Sequence, residues 1–268
     1  MTSFDNIKES DLNKLKRYNY LIEKPKSKQE IARAIGNATL VLYKTGKLLI
    51  QGRKEHVDDA VKLLKFLGLE KRGISAPAVG SDEALKGDTF GGIVVAGFLA
   101  DDTIRDDLRQ MNVKDSKKLY NPDVVRIATE IIAKYPDKYH IESILPKEFN
   151  KLNEKNNMTY ILDLLHEKCY RKLAGKSKII HIVDEYPGCG VGNIREKYAE
   201  SKFLEVAAAS IIARYGALIQ IRELEKMAGF FIPLGSTHVT SALLEIKKKT
   251  LSPENFVKLK FKNVLEFF

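Results

Sequence analysis

Hydrophobic residues in the longer, C-terminal part of the chain form continuous runs of strand length and helical repeats. Ile93–Leu99 and Ile179–Val183 are uninterrupted apolar runs, which are typical of strands buried on both faces. Tyr139–Leu145 alternates more loosely, and we expect it to pair with them. Asn157–Leu173 and Glu205–Met227 repeat their apolar residues at helical spacing. Strands that alternate with helices predict an α/β domain.

One further helix is predicted from its start signal. Asparagine is favoured at a helix cap and proline at the first helical position. We therefore expect Asn121 to cap a helix that begins at Pro122 and continues through Val124–Ala133. The chain shows no internal repeat.

The N-terminal part predicts a small α+β unit. Asp11–Tyr20 and Ser27–Ile35 are predicted as short helices. Thr39–Tyr43 and Leu48–Gln51 are rich in strand-forming residues and flank a glycine-bearing turn with a lysine at each end, which indicates a β-hairpin. Val57–Leu69 has helical periodicity. This unit would be a small sheet backed by helices.

The boundary between the two parts is predicted at Glu70–Gly80, a segment of glycine, proline and small residues that is typical of a linker. We place one domain at residues 1–72 and a second at residues 73–268. Both lengths lie within the usual range for independent domains.

The charge of the chain is concentrated near its start. The net charge is +10, and residues 1–72 hold sixteen Lys/Arg against nine Asp/Glu, or +7. A basic surface favours phosphate backbones through counterion release. A general lysine bias would give the same total, so both explanations stay open.

No secretory signal or membrane-spanning run is visible, and Cys169 and Cys189 do not indicate a disulfide framework. We expect a cytoplasmic protein.

Four acidic residues are candidates for metal chemistry. The adjacent pair Asp82-Glu83 precedes the apolar run at Ile93, and Asp184 directly follows a predicted buried strand, where α/β sheets place their sites. Glu200 precedes a long helix. Carboxylate oxygens are the ligands that Mg²⁺ prefers. Each acid alone also fits a simpler explanation: a solvated pair, a turn residue, or an acid at a helix N-terminus.

The order of several motifs resembles the type II ribonucleases H in their HIII form. These motifs are, in chain order, Gly80-Ser81-Asp82-Glu83 with Lys86–Gly91, Val113–Leu119 containing DSKKL, Lys147–Leu162 with its asparagines, Val183-Asp184, Ala199-Glu200-Ser201 with Val206–Arg214, and Pro233–Ser236. The N-terminal hairpin and the helix that follows it resemble the TATA-binding-protein-like domain that HIII enzymes carry. One such motif is weak evidence, whereas the ordered series is specific.

The resemblance implies a ribonuclease H-like mixed sheet flanked by helices. It also implies an endoribonuclease that cuts the RNA strand of an RNA–DNA hybrid and leaves 5′-phosphate and 3′-hydroxyl ends. The implied catalytic and metal-binding residues are Asp82, Glu83, Asp184 and Glu200, with two Mg²⁺ or Mn²⁺ ions. Asp82 and Asp184 would be the central ligands. The implied partner is the hybrid itself, with no membrane and a monomeric chain. The implied substrate-binding residues are Ala84, Leu85, Lys86, Gly87, Ser116, Lys117, Asn150, Asn157, Ser201, Tyr43, Lys44 and Lys47.

Two positions depart from the family pattern. Leu85 stands where the family has glycine, in a turn whose backbone approaches the RNA strand, and Gly92 stands where proline is frequent. Glycine tolerates backbone conformations that leucine resists, so we expect an altered turn. Leu85 therefore motivates an alternative, a hybrid-binding protein with weakened catalysis. A DNA-junction nuclease of the same fold is a further alternative. Asn150 and Asn157 fit structural hydrogen bonds as well as nucleic-acid contacts, and His238 fits a proton shuttle or a surface histidine.

Overall fold

The computed structural model describes residues 3–4, 7–69, 76–113 and 119–268. The chain divides into two compact units, Met1–Ser75 and Ala76–Phe268.

The first unit is an antiparallel five-stranded sheet with helices packed on one face, in the spatial order β1-β5-β4-β3-β2. The predicted hairpin is confirmed, because Thr39–Gln51 pairs strand to strand across the lysine-tipped turn. The helix predicted near Asp11 and the one predicted from Val57 are also present. The elements are β1 Ser3–Phe4, α1 Glu9–Lys14, a 3₁₀ turn Leu15–Tyr18, β2 Leu21–Glu23, β3 Glu30–Ile35, β4 Thr39–Tyr43, β5 Leu48–Gln51 and α2 Lys54–Phe66.

The helix predicted over Ser27–Ile35 is wrong, because Glu30–Ile35 forms strand β3, which is hydrogen-bonded between β4 and β2. Ala32 and Ala34 alternate into the core beneath the helices, whereas Arg33 lies on the other face. The run is too short for periodicity to separate a strand from a helix. Pairing with β2 and β4 decides its conformation.

The second unit is a mixed five-stranded sheet in the order β10-β9-β6-β7-β8. The strands β7 and β8 extend the sheet antiparallel from β6, and β9 and β10 extend it in parallel on the other side. The predicted α/β class is confirmed. The strands and helices are β6 Ala78–Ala84, β7 Ile93–Ala100, α3 Asp102–Gln110, α4 Asn121–Lys134, β8 Tyr139–Ile144, α5 Pro146–Lys155, α6 Met158–Ala174, β9 Ile180–Asp184, β10 Ile194–Glu196, α7 Leu204–Ala228, α8 Thr240–Lys248 and α9 Lys262–Leu265.

Helices cover both faces of this sheet, which explains the continuous apolar run in β7. Ala96 and Phe98 face α3, α4 and α7, whereas Ile93 and Val95 face α5 and α6. The helix α7 is long and apolar enough to span a membrane by length and composition alone, but most of its apolar segment is buried against the sheet.

Two predicted boundaries differ from the structure. Ala78–Gly80, assigned to the linker, belongs to the central strand β6. Gly80 allows close packing there, because a Cβ on it would lie 2.4 Å from the backbone carbon of Glu205 in α7. Asn121 is the first helical residue of α4 and not its cap, which is Tyr120.

Candidate active site

Two neighbouring parallel strands carry acids at their carboxyl ends. The strand β6 holds Asp82 and Glu83, and β9 ends at Asp184. The two strands are paired up to Ser81 and Val183, one residue before Asp82 and Asp184. Because paired residues in parallel strands project to the same side, the two aspartates share the face that α7 covers. The fold therefore brings residues about 100 positions apart in sequence to one edge of the sheet.

Alternation along β6 sends its two acids in different directions. Asp82 is buried beside Ser210 of α7, with which it shares a hydrogen bond. Glu83 points to the opposite face, where Nε2 of His166 in α6 lies 3.2 Å from its Oε2. Successive side chains of a strand alternate between its faces. The adjacent acids thus approach the sheet edge from both sides of the central strand.

Asp82 lies in a buried cluster of negative charge. Burial raises the pKa of Asp82 well above its ordinary value, and the neighbouring charges of Glu83 and Asp184 raise it further. The hydrogen bonds from Ser210 and from the backbone N–H of Glu83, which lies 2.8 Å from Oδ1, oppose that shift only in part. Like charges held together in this way favour a nearby cation.

Glu83 has positive or donating groups around it. Burial opposes its ionisation, but His166 and the ammonium of Lys86 outweigh burial and hold the pKa of Glu83 below its ordinary value. Lys86 forms an ion pair with Glu83 and lies 5.6 Å from the centre of the Tyr186 ring. Glu83 is therefore ionised at neutral pH.

The buried Glu200 lies in a 3₁₀ turn, Ala199–Ser201, that is fastened to Asp184. The backbone N–H of Ala199 donates to Oδ1 of Asp184 at 2.8 Å. This bond fixes Glu200 next to the end of β9. Glu200 is not among the residues that line the cavity described next.

A cavity of about 520 Å³ opens at the edge of the sheet in front of Asp82, Glu83 and Asp184. Within the described ranges, no three His, Cys, Asp or Glu side chains already enclose a space for a metal ion. The donor set still fits hard divalent cations, since Mg²⁺ uses one or two carboxylates and completes its shell with water and phosphate oxygens. The cavity-lining residues are Asp82, Glu83, Ala84, Leu85, Lys86, Gly87, Asp88, Asp184, Ser210, Arg214, Ala217, Leu218 and Leu234.

The sequence model of the ribonuclease HII family matches residues 79–264, which contain all of the mixed sheet except Ala78, and all four candidate acids. The chain belongs to the ribonuclease HII family. Within this family it is similar to ribonucleases HIII: that of Bacillus velezensis is 33% identical over 84% of this chain and 83% of the relative. The Aquifex aeolicus enzyme is 35% identical over 84% of this chain and 85% of the relative. These relatives are hydrolytic nucleases, and the chain is an endonuclease of the ribonuclease H type.

Solved ribonuclease HIII structures share the fold. The structure of Bst-RNase HIII in complex with Mn²⁺ superposes with a TM-score of 0.67 at 24% identity, covering 99% of this chain and 97% of that one. RNase H3 of Aquifex aeolicus gives a TM-score of 0.57 at 26% identity, covering 97% and 100%. The predicted ribonuclease H-like fold is confirmed.

In this ribonuclease HII-family chain, the turn after the acidic pair keeps a glycine-like backbone despite its leucine. Leu85 has a left-handed φ of 66°, and its side chain is buried with Phe90 and Ile221. At Leu85 the backbone therefore lies in the left-handed region that favours glycine. The structure also explains why Gly92 stands where the family often has proline. The N–H of Gly92, which proline lacks, donates to Oε1 of Gln220 at 2.7 Å.

Three of the proposed substrate contacts have structural roles. The Asn150 side chain bonds the backbone of Glu254, Val257 and Leu259, so it fastens the C-terminal segment. Asn157 caps α6 by accepting from the N–H of Tyr160. The hydroxyl of Ser201 donates to the carbonyl of Tyr198. For both asparagines, the structure supports the structural alternative.

The remaining predicted contacts fall into separate groups. Residues 84–87 line the cavity, and their role in substrate binding stays a prediction. Ser116 and Lys117, with the rest of the DSKKL motif up to Lys118, lie outside the described residues. Tyr43 is half-buried at the end of β4, and Lys44 and Lys47 are exposed on the hairpin turn of the first unit. His238 is exposed in a left-handed conformation and does not line the cavity.

Four residues near the acids were not predicted as site residues. Ser210 and Arg214 of α7 line the cavity, and Ser81 and His166 lie behind Glu83. Ser81, Ser210 and Arg214 lie within the family-like motifs Gly80–Glu83 and Val206–Arg214, whereas the signal for His166 is a polar residue at a buried helical position. In an apolar repeat, such a residue needs a partner.

Proposed function

We propose that this chain hydrolyses the RNA strand of RNA–DNA hybrids and leaves 5′-phosphate and 3′-hydroxyl ends. The observation that carries the proposal is the convergence of Asp82, Glu83 and Asp184 on one cavity at the carboxyl ends of paired parallel strands. Membership of the ribonuclease HII family supports the same reaction. Relatives that bear the name ribonuclease HIII support the hybrid as substrate.

We propose that Asp82 and Asp184 are the central metal ligands and that Glu83 and Glu200 complete the ligand set. Two Mg²⁺ or Mn²⁺ ions, when bound, would supply an activated water and charge stabilisation at the leaving oxygen. The Mn²⁺ complex of Bst-RNase HIII supports a divalent ion. The burial and mutual repulsion that raise the pKa of Asp82 support a cation at this place.

The chain itself supplies the groups that would hold the nucleic acid. Lys86 and Arg214 place positive charge at the cavity lined by the acids, where they would face the scissile phosphate. The turn Ala84–Gly87 brings backbone groups to the same cavity, where they would meet the 2′-hydroxyl that distinguishes RNA from DNA. Ser210 keeps Asp82 oriented through its hydrogen bond.

We propose that the domain at residues 1–72 binds the hybrid backbone. Its charge of +7 and the exposed lysines at the hairpin turn, Lys44 and Lys47, support phosphate binding. Tyr43 at the base of this turn would contribute a contact with the sugar or base. We also propose that this domain resembles a TATA-binding-protein domain. We further propose that the protein is monomeric and cytoplasmic.

A substrate panel tests the function. End-labelled RNA–DNA hybrid, duplex DNA and duplex RNA are each incubated with Mg²⁺, with Mn²⁺ and with a chelator. We expect cleavage of the RNA strand of the hybrid alone, only with metal, and products that a polynucleotide kinase cannot label at the 5′ end until phosphate is removed. Cleavage of duplex DNA in place of the hybrid would contradict the proposal, and cleavage of a DNA junction added to the panel would favour the DNA-junction alternative.

The hybrid-binding alternative rests on Leu85, which stands where the family has glycine. The left-handed backbone of Leu85, a conformation that favours glycine, supports retained catalysis over this alternative. Binding of the hybrid without cleavage under any metal condition would restore that alternative.

A further inference from the structure

A buried chain of three polar side chains lies behind Glu83, on the face of β6 that α6 covers. Oγ of Ser81 is 2.7 Å from Nδ1 of His166 and 2.8 Å from Nε2 of His181. All three side chains are buried. The face of the sheet that α5 and α6 cover holds an apolar core cluster that includes Val95, Leu165 and Val183. Burying polar groups costs free energy that hydrogen bonds recover only in part, so packing alone does not explain this chain.

The hydrogen-bond donors and acceptors of these three side chains determine which hydrogen bond Glu83 accepts. An ionised carboxylate only accepts, so Nε2 of His166, 3.2 Å from Oε2 of Glu83, carries a hydrogen and donates it. Ser81 has one hydroxyl hydrogen and can donate to one ring alone, so the other imidazole donates to its oxygen. The His166 ring is therefore held at both nitrogens, by Glu83 on one side and by Ser81 on the other.

Aromatic rings hold the two histidines in place. The Tyr186 ring centre lies 5.3 Å from that of His166. Tyr170 stacks on His181 at 4.7 Å, and its hydroxyl donates to the carbonyl of Ile179 at 2.8 Å. The chain His181–Ser81–His166 is thus a rigid support that ends on the carboxylate of Glu83.

We propose that His166 is a positioning residue that orients the Glu83 carboxylate for metal binding, with Ser81 and His181 orienting His166 in turn. The inference rests on the proposed function, in which Glu83 is a metal ligand. Partners of a ligand are conserved features of metal sites because their loss lowers metal affinity about 10- to 100-fold. Nothing in this role requires His166 to touch the substrate or the metal.

Two substitutions of His166 separate positioning from packing. Glutamine can place its amide nitrogen where histidine has Nε2, whereas asparagine reaches only the Nδ1 position. We expect His166→Asn to weaken Mn²⁺ binding, measured by calorimetry without substrate, about 10-fold or more. His166→Gln should stay closer to the wild type than His166→Asn does. Equal Mn²⁺ affinity of both variants, or wild-type affinity of His166→Asn, would overturn the positioning role.

Further variants keep the test decisive. If His166→Asn does not fold, Ser81→Ala removes the hydrogen bond to the other nitrogen of His166 with little loss of volume and should also weaken Mn²⁺ binding. An unchanged affinity would refute the role of Ser81 in orienting His166. His140→Gln changes a partly exposed histidine of β8 that bonds Glu142, and it is the control expected to bind Mn²⁺ as the wild type does.

Glu83→Gln distinguishes the inference from the proposed function. If Glu83→Gln weakens Mn²⁺ binding while His166→Asn and Ser81→Ala do not, only the positioning role fails. If Glu83→Gln leaves Mn²⁺ binding unchanged, the metal-ligand assignment of Glu83 fails and the positioning role fails with it.

Discussion

The side chain of Leu85 occupies the space that a side chain on Gly91 would need. A Cβ added to Gly91 would lie 2.8 Å from Cδ1 of Leu85. Both residues have a left-handed backbone, with φ of 66° and 79°. The turn that carries the proposed substrate contacts is therefore closed by a leucine in a glycine-like conformation, whose burial offsets the backbone strain.

This relationship predicts that glycine and alanine variants at position 85 reverse their usual order of stability, in which alanine is the more stable. Both Leu85→Ala and Leu85→Gly lose the buried side chain, at a cost of about 2–5 kcal/mol. Only glycine removes the left-handed strain, which is worth about 1 kcal/mol. Urea unfolding should therefore find the glycine variant at least as stable as the alanine variant.

Leu224 in α7 is the matched control for this comparison. It is also buried but lies within a helix. There the alanine variant should be more stable than the glycine variant by about 0.5–1 kcal/mol. The same order at both positions would contradict the assigned conformation of Leu85.

The buried ion pair between Arg105 and Glu205 predicts a large loss of stability when one partner is removed. Arg105 donates to Oε1 of Glu205 at 2.8 Å and to the carbonyl of Ala76 at 3.0 Å. Arg105→Met leaves a buried carboxylate uncompensated and should cost about 3–5 kcal/mol in the free energy of unfolding. The exposed Arg126, which pairs with Asp123 and Glu130, should cost about 1 kcal/mol or less when changed to Met. Similar losses of unfolding free energy in the two variants would show that the buried ion pair stabilises the fold no more than the exposed pairs do.

His181 predicts a loss of stability in acid. Burial lowers its pKa from 6.5 to about 3. Between these values the unfolded chain binds a proton that the folded chain does not, so the free energy of unfolding falls as pH decreases from about 6.5 towards 3. The decrease is up to about 1.4 kcal/mol per pH unit.

His181→Gln should remove this contribution, which denaturant unfolding at several pH values measures. Tyr170→Phe, which changes the neighbouring ring without changing a group that titrates in this range, should keep it. An equal dependence on pH in His181→Gln and the wild type would assign the acid sensitivity to other groups.

The lysines at the N-terminal hairpin turn predict a change in the salt dependence of hybrid binding. Each phosphate contact contributes about 0.9 to the slope of log affinity against log salt. Lys44→Ala combined with Lys47→Ala should lower the slope by up to about 1.8 and weaken binding. Lys62→Ala, on the exposed side of α2 with Asp59 as its neighbour, is the control within the same unit. An unchanged slope in the double variant would remove the hairpin from the binding surface.

Much of the fold was predictable because its strands and helices have distinct hydrophobic patterns. The strand β7 is apolar throughout because helices cover both of its faces. The strand β3 was not predictable in this way, since its six residues fit either period and only pairing with β2 and β4 decides them. The strand β6 was hidden by Gly80, which indicates a linker in sequence but close packing against α7 in space.

The acids of the candidate site were predictable from the motif order, but their surroundings were not. His166, 85 positions from Ser81, has no motif that would link it to Glu83. The asparagines of the HIII-like segment proved to bond backbone groups, as Asn150 does at the C-terminal segment. Contacts between distant parts of the chain decide these roles.

The most direct test of the account is cleavage of an RNA–DNA hybrid by Asp82→Asn under single-turnover conditions, with hybrid binding measured in parallel. The variant keeps the shape of Asp82 but removes the charge that would hold the metal. We expect cleavage to fall by about 10³-fold or more with either Mg²⁺ or Mn²⁺, and hybrid affinity to be retained. Cleavage at the wild-type rate by this variant would contradict the assignment of Asp82 to the catalytic site.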